Sequence, residues 1–104
     1  MLHATIRRYD GVDQNRTDEL TRKVNETLVP KLSKLPGFKA YYLIDADNGV
    51  LSSFGIFENA AQADESTRVV TSWVRDEKLE SALPNEPKIT TGKVIAQKTG
   101  FTVA

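Results

Sequence analysis

The stretch from Gly37 to Glu58, GFKAYYLIDADNGVLSSFGIFE, constrains the fold more than any other. It reads as two strands folded back on each other at Asn48-Gly49, a pair suited to a two-residue type I′ turn because both positions tolerate positive φ. That turn sets Ala40 opposite Phe57, Tyr41 opposite Ile56, Tyr42 opposite Gly55, Leu43 opposite Phe54 and Ile44 opposite Ser53. Side chains alternate between faces along a strand. One face then carries Phe38, Ala40, Tyr42, Ile44, Leu51, Ser53, Gly55 and Phe57, and the other carries Tyr41, Leu43, Phe54 and Ile56. Neither face is polar, so both need a cover.

At 104 residues the chain is expected to form one domain, residues 1–104, on a single core. Lys+Arg and Asp+Glu balance at 14 each, so no overall field points to a nucleic-acid or membrane partner. Without Cys there is no disulfide, thiol nucleophile or Cys-bound metal, and one histidine, His3, makes no metal cluster. No bound metal is therefore expected, and with no Gly-rich phosphate loop no motif calls for another cofactor. No apolar run approaches a membrane span, and the N-terminus lacks a signal-peptide core, so a cytoplasmic setting is expected.

Leu2 to Tyr9 alternates, with Leu2, Ala4 and Ile6 on one side and His3, Thr5, Arg7 and Tyr9 on the other; this predicts a strand. Asp13 is the expected N-cap of a helix whose stripe is Leu20, Val24, Leu28, Leu32 and Leu35. Pro30 predicts a kink, or an end near Leu28 with a short continuation, and Pro36-Gly37 stops the run. Asn59 with Gln62 resembles a capping box before a second stripe, Ala63, Ser66, Val70, Trp73 and Val74, which Leu79 and Leu83 extend. The helix should end before Pro84. Lys88 to Lys98 predicts a fourth strand with a bulge at Gly92, followed by a short tail in which Phe101 and Val103 call for cover.

The order β-α-β-β-α-β is that of the ferredoxin-like split βαβ fold, an α+β architecture with a four-stranded antiparallel sheet. Right-handed crossovers place both helices on one face of the sheet and leave the other bare. The same face of a second copy is the economical cover, so a homodimer is expected.

Three segments, ATIRRY, LPGFKAYYLI and FENAAQADES, resemble the antibiotic-biosynthesis-monooxygenase-like group of the dimeric α/β-barrel superfamily. The resemblance spans nearly the whole chain. It implies a dimer with facing sheets and a small-molecule cleft between sheet and helices. Some relatives oxidise polycyclic phenols or quinols with O₂ and no metal or flavin; others degrade haem. Many relatives have Trp where Phe57 ends the third strand here. The haem-degrading pattern of Asn on strand one, with Trp and His on helix two, is not met, because strand one has no Asn and helix two no His.

The candidate site follows from the hairpin and the stripes. Tyr42, opposite Gly55 and beside Ser53, would overhang a hollow; Trp73 would stack on a flat substrate or simply fill the core; Phe57 would join Ser53 and Trp73 as lining. Arg7 and Arg8 point opposite ways. The enclosed one needs either a carboxylate, as a structural ion pair, or an anionic ligand. Arg7 and Tyr42 are the catalytic candidates. His3, the one imidazole, could serve as a base but sits at a strand end, and Asp45 and Asp47 suit a turn. Lys31, Lys34 and Lys39 form no patch interleaved with aromatics, so no nucleic-acid site is expected. Two functions compete: cofactor-independent monooxygenation of a small phenol or quinol, and non-enzymatic binding of an apolar ligand or protein partner by a homodimer.

Overall fold

The hairpin forms, but one residue out of the register that Asn48-Gly49 suggests. In the computed structural model, which describes residues 1–100, β2 (Phe38–Asp45) and β3 (Leu51–Phe57) pair with Tyr41 opposite Gly55, Tyr42 opposite Phe54 and Leu43 opposite Ser53. The cause lies in the turn. Asp45 accepts a hydrogen bond from the Asp47 N–H (2.9 Å), and Asp47, Asn48 and Gly49 all take positive φ (66°, 55° and 77°). The Ala46 N–H then closes on the Val50 carbonyl, giving a three-residue loop where two were expected. An odd loop shifts the pairing by one, which turns one strand over relative to the other.

The consequence is a different membership of the two faces. Tyr41 and Leu43 join Leu51, Ser53, Gly55 and Phe57 against the helices; Tyr42 and Ile44 join Phe54 and Ile56 on the far side. A bulge between Phe38 and Ala40 returns Phe38 to the helix side, edge-on to Phe57 with centroids 5.8 Å apart. The expected bulge at Gly92 is absent, because β4 (Lys88–Lys93) pairs with β1 (His3–Tyr9) without a shift. Both hairpin faces are apolar, as expected, though not with the expected residues.

The sheet is antiparallel throughout, in the order β2-β3-β1-β4, with both helical layers on one face. This is the α+β arrangement that the element order predicts. The first helical run comprises a 3₁₀ turn (Gln14–Arg16) capped by Asp13, α1 (Thr17–Lys23), a π turn (Val24–Leu28) and α2 (Val29–Ser33). Pro30 neither ends the run nor interrupts a regular helix. The wide π turn before it makes an i to i+5 bond from Val29 to Val24, and the proline falls in the first turn of α2, where its missing N–H costs least. Leu20, Val24, Leu28 and Leu32 are buried, so the predicted stripe faces the core.

Asn59 caps α3 (Ala60–Asp76) by accepting from the Gln62 N–H. Ala63, Ser66, Val70 and Trp73 form its buried side. Leu79 and Ala82 are also buried, but in the turn after α3 rather than as its continuation. Strand β4 is shorter than expected, stopping at Lys93, and the expectation for Phe101 and Val103 falls outside the described residues.

Across the far face run Ala4 and Ile6 on β1, Phe54 and Ile56 on β3, and Ala40, Tyr42 and Ile44 on β2. Tyr42 and Ile44 are 48% and 53% exposed in the single chain. The bare apolar face that the argument for a partner requires is present.

Candidate functional site

Strand β1 carries its polar side inward. Thr5, Arg7 and Tyr9 are buried under the helices, while Ala4 and Ile6 face outward. This inverts ordinary patterning for a central strand and places a guanidinium in the interior. Arg7 is only 2% exposed. Its Nη2 donates to Thr67 Oγ1 (2.6 Å) and Ser66 Oγ (3.3 Å) on α3, and its buried Nε has no partner. Among the described residues no carboxylate reaches Arg7. The structural ion pair expected for the enclosed arginine is instead made by the outward Arg8, which meets Asp10 at 3.1 Å.

A buried cation without a counter-ion is costly, because its lost hydration is not offset by an opposite charge. Burial accordingly pulls Arg7 below its ordinary pKa, while Tyr9 and Tyr41 nearby act in the other direction. Tyr9 is raised, mainly by burial, with Arg7 opposing. Burial is also the main cause that lifts Tyr41, to about 12; Tyr9 adds to it, while Arg7 and the Ser53 hydroxyl oppose it. Both phenols are thus neutral hydroxyls near pH 7, able to donate hydrogen bonds and unfit to act as bases.

Tyr9, Tyr41 and Ser53 line one wall of a cavity of about 30 Å³ between sheet and helices, with Val70 and Trp73 opposite them on α3. Arg7 is not itself in the lining; it is paired in register with Ser53 on the neighbouring strand. The cavity has room for one or two waters. Beyond Tyr9, Val74 and Leu83 lies an open cleft of about 390 Å³ between the end of α3 and residues 80–87.

The five residues singled out in the sequence divide between the faces. Arg7, Ser53 and Trp73 come together on the helix side. Phe57 is there too, but at the end of the sheet, packed on Phe38. Tyr42 lies on the opposite face, so it cannot act with Arg7 across this cavity; its expected place beside Ser53 and Gly55 is taken by Tyr41. The expected hollow at Gly55 is filled as well. A Cβ there would meet the Phe57 ring at 3.7 Å and the Tyr41 ring at 3.9 Å, ordinary contact distances, so the two rings already border the space above the glycine. Trp73 is 3% exposed, and its indole N–H donates to Thr27 Oγ1 (2.7 Å) in the π turn. It is a core residue with one edge on the cavity. Sequence reasoning missed Tyr9, Ser66 and Thr67. The signal for Tyr9 was the inward polar set on strand one; the two hydroxyls on α3, Ser66 within the stripe and Thr67 beside it, carried none.

Among the described residues no group of His, Asp or Glu is clustered to hold a metal ion. No helix among them is long and apolar enough to cross a membrane.

No protein-family model matches this chain, and no curated protein matches it. Solved structures do. A protein of unknown function from Nitrosomonas europaea superposes with a TM-score of 0.75 at 14% identity, covering 97% of this chain and 96% of its own. A Bordetella bronchiseptica protein, named as a candidate antibiotic biosynthesis monooxygenase, gives 0.73 at 11% identity, over 91% of this chain and 98% of its own. A monooxygenase of Streptomyces coelicolor, solved in complex with nanaomycin D, gives 0.69 at 15% identity, over 96% and 92%. The chain has the fold of the antibiotic-biosynthesis-monooxygenase-like proteins it resembles in sequence, along nearly its full length.

Proposed function

We propose that this chain holds a small phenol or quinol in the cleft between the end of α3 and residues 80–87, with its hydroxyl directed into the cavity between sheet and helices, and oxidises it with O₂. The observation that carries the proposal is Arg7, a buried guanidinium lacking a carboxylate and flanked by two neutral tyrosines. Such a charge favours an anion beside it, and a phenolate would supply one, the guanidinium offsetting the roughly 4 kcal/mol that ionising a phenol of ordinary pKa costs at pH 7. The shared fold with the Streptomyces coelicolor monooxygenase supports the same reading.

In the proposed reaction a phenol loses its O–H proton to water as Arg7 offsets the charge that develops on oxygen. Tyr9 and Tyr41, still protonated, offer hydroxyls to the oxygen atoms. One atom of O₂ joins a ring carbon and the other leaves as water with the phenolic and ring hydrogens. The substrate supplies all four electrons and becomes a quinone, so no separate reductant enters the balance. The far sheet face, with Phe54 and Ile56 at its centre and Tyr42 and Ile44 beside them, is covered in this proposal by the same face of a second copy.

Oxygen uptake with a naphthol tests the reaction. The expected result is one O₂ consumed per quinone formed by the wild type, and none above background by Arg7→Met. Binding without oxygen uptake across naphthols and quinols would favour the alternative, a ligand-carrying homodimer without catalysis.

A further inference from the structure

Strand β4 is an edge of the sheet, and between it and α3 runs a groove of about 280 Å³ lined by Thr5, Asp64, Thr67, Arg68, Ile89 and Thr91. This groove lies on the opposite side of Arg7 from Ser53. Ile89 pairs with Arg7 across β4, as Ser53 does across β3. Thr67 is the hydroxyl that accepts from Arg7 Nη2 at 2.6 Å. Arg7 lines neither space, so its charge reaches the groove across Thr67. The hydroxyls there are not equivalent. Thr91 donates to the Ala4 carbonyl (3.2 Å), which leaves it to accept from Thr5 (3.3 Å). Thr67 accepts from Arg7, so its own hydrogen must point elsewhere. The Ala63 carbonyl is 3.5 Å from it and already accepts from Ser66 at 2.6 Å. The Thr67 hydrogen is thus left without a short bond and is free for an acceptor in the groove.

The charges around the groove differ in depth. Asp64 and Arg68 are exposed, and Arg68 is offset by Glu65 at 2.7 Å. Water screens these groups, whereas Arg7 is 2% exposed, has an unpartnered Nε and acts through a low dielectric. The inner end of the groove is therefore positive and its mouth is not. We propose that a small inorganic monoanion of the halide class binds at this inner end, against the Thr67 hydroxyl, as the counter-ion of Arg7 when no other anion neutralises it. Asp64 at the mouth disfavours a multiply charged anion. The bound anion and a phenolate draw on one guanidinium from opposite sides, so the anion inhibits the reaction. That inhibition rests on the proposed function; the anion site does not.

The chloride NMR line width, with gluconate holding ionic strength constant, tests the site. Wild type should broaden the signal, and added nitrate should reverse the broadening. Chloride should bind Arg7→Met at least tenfold more weakly and Thr67→Val at least fivefold more weakly, while Ser53→Ala keeps it. Asp64→Asn, at an exposed position that leaves folding intact, should tighten binding at least twofold. No broadening by wild type, or equal broadening by Arg7→Met, overturns the site. Loss in Ser53→Ala, or unchanged affinity in Asp64→Asn, overturns its place in the groove. Oxygen uptake with a naphthol should then fall at least twofold when chloride replaces gluconate, and unchanged uptake overturns the inhibition. If wild type takes up no oxygen at all, the proposed function and the inhibition fall together, and the line width still decides the site.

Discussion

Replacing Arg7 by methionine separates a functional charge from a structural one. Arg7 makes two side-chain hydrogen bonds, one short to Thr67 and one long to Ser66. Bonds from a charged donor contribute about 1.5–3 kcal/mol each when well formed. Against them stands the desolvation of an unpaired guanidinium, several kcal/mol even after relaxation. The partners left behind are not orphaned. Ser66 donates to the Ala63 carbonyl at 2.6 Å, and Thr67 also approaches that carbonyl. Methionine fills much of the volume of the arginine stem and brings no polar group. The variant should therefore be more stable than wild type by roughly 1 kcal/mol, raising Tm by about 4–8 °C for a domain of this size. It should also lose phenol binding. Differential scanning calorimetry without ligand measures the first effect. If Arg7 is instead the structural tie between β1 and α3, Tm falls by about 10 °C or more, and the argument from an uncompensated charge is refuted.

Alkaline unfolding tests the buried phenols. Tyr41 is held at about 12 against an ordinary 10, so between these values the folded chain keeps a proton that the unfolded chain releases. Its contribution is complete below about pH 10 and is lost as pH rises toward 12, at up to about 1.4 kcal/mol per unit. Tyr41→Phe should flatten that slope in urea titrations; an unchanged slope would mean that Tyr41 is not the group responsible. Gly49→Val should cost about 1–3 kcal/mol, because φ is 77° there and a Cβ would sit 3.1 Å from the Val12 carbonyl oxygen. A Tm equal to wild type would contradict the turn geometry. Phe54→Glu, on the far sheet face, should convert a species of about twice the 11.6 kDa chain mass to a monomer in light scattering. Leu43→Glu should instead unfold the chain, since Leu43 packs on the core.

Element order, helix stripes and the two-sided demand of the hairpin were legible because each rests on periodicity over many residues. Leu20, Val24, Leu28 and Leu32 needed no tertiary information to be placed on one face. Register was not legible, since it depends on how one turn satisfies its own backbone. The Asp45 carboxylate and a third residue of positive φ moved the closure by one position, and that single step exchanged Tyr41 for Tyr42. Arg7 was identifiable from the polar side of strand one. That it would lack a carboxylate was not, because its surroundings come from Ser66 and Thr67, some sixty residues along the chain. Trp73 shows the limit of a stripe, which places a side chain inward but does not reveal whether its N–H is already taken by a partner such as Thr27.

If Arg7 makes the cavity an anion-favouring site, a ligand bound there should ionise more readily than the same ligand in water. A dihydroxyanthraquinone changes colour when it loses a proton, so its absorbance can be titrated against pH free and bound. With wild-type protein the bound compound should ionise at least one pH unit lower than the free compound, and with Arg7→Met this displacement should vanish. A ligand that binds wild type with its ionisation unmoved, or moved upward, would contradict the account.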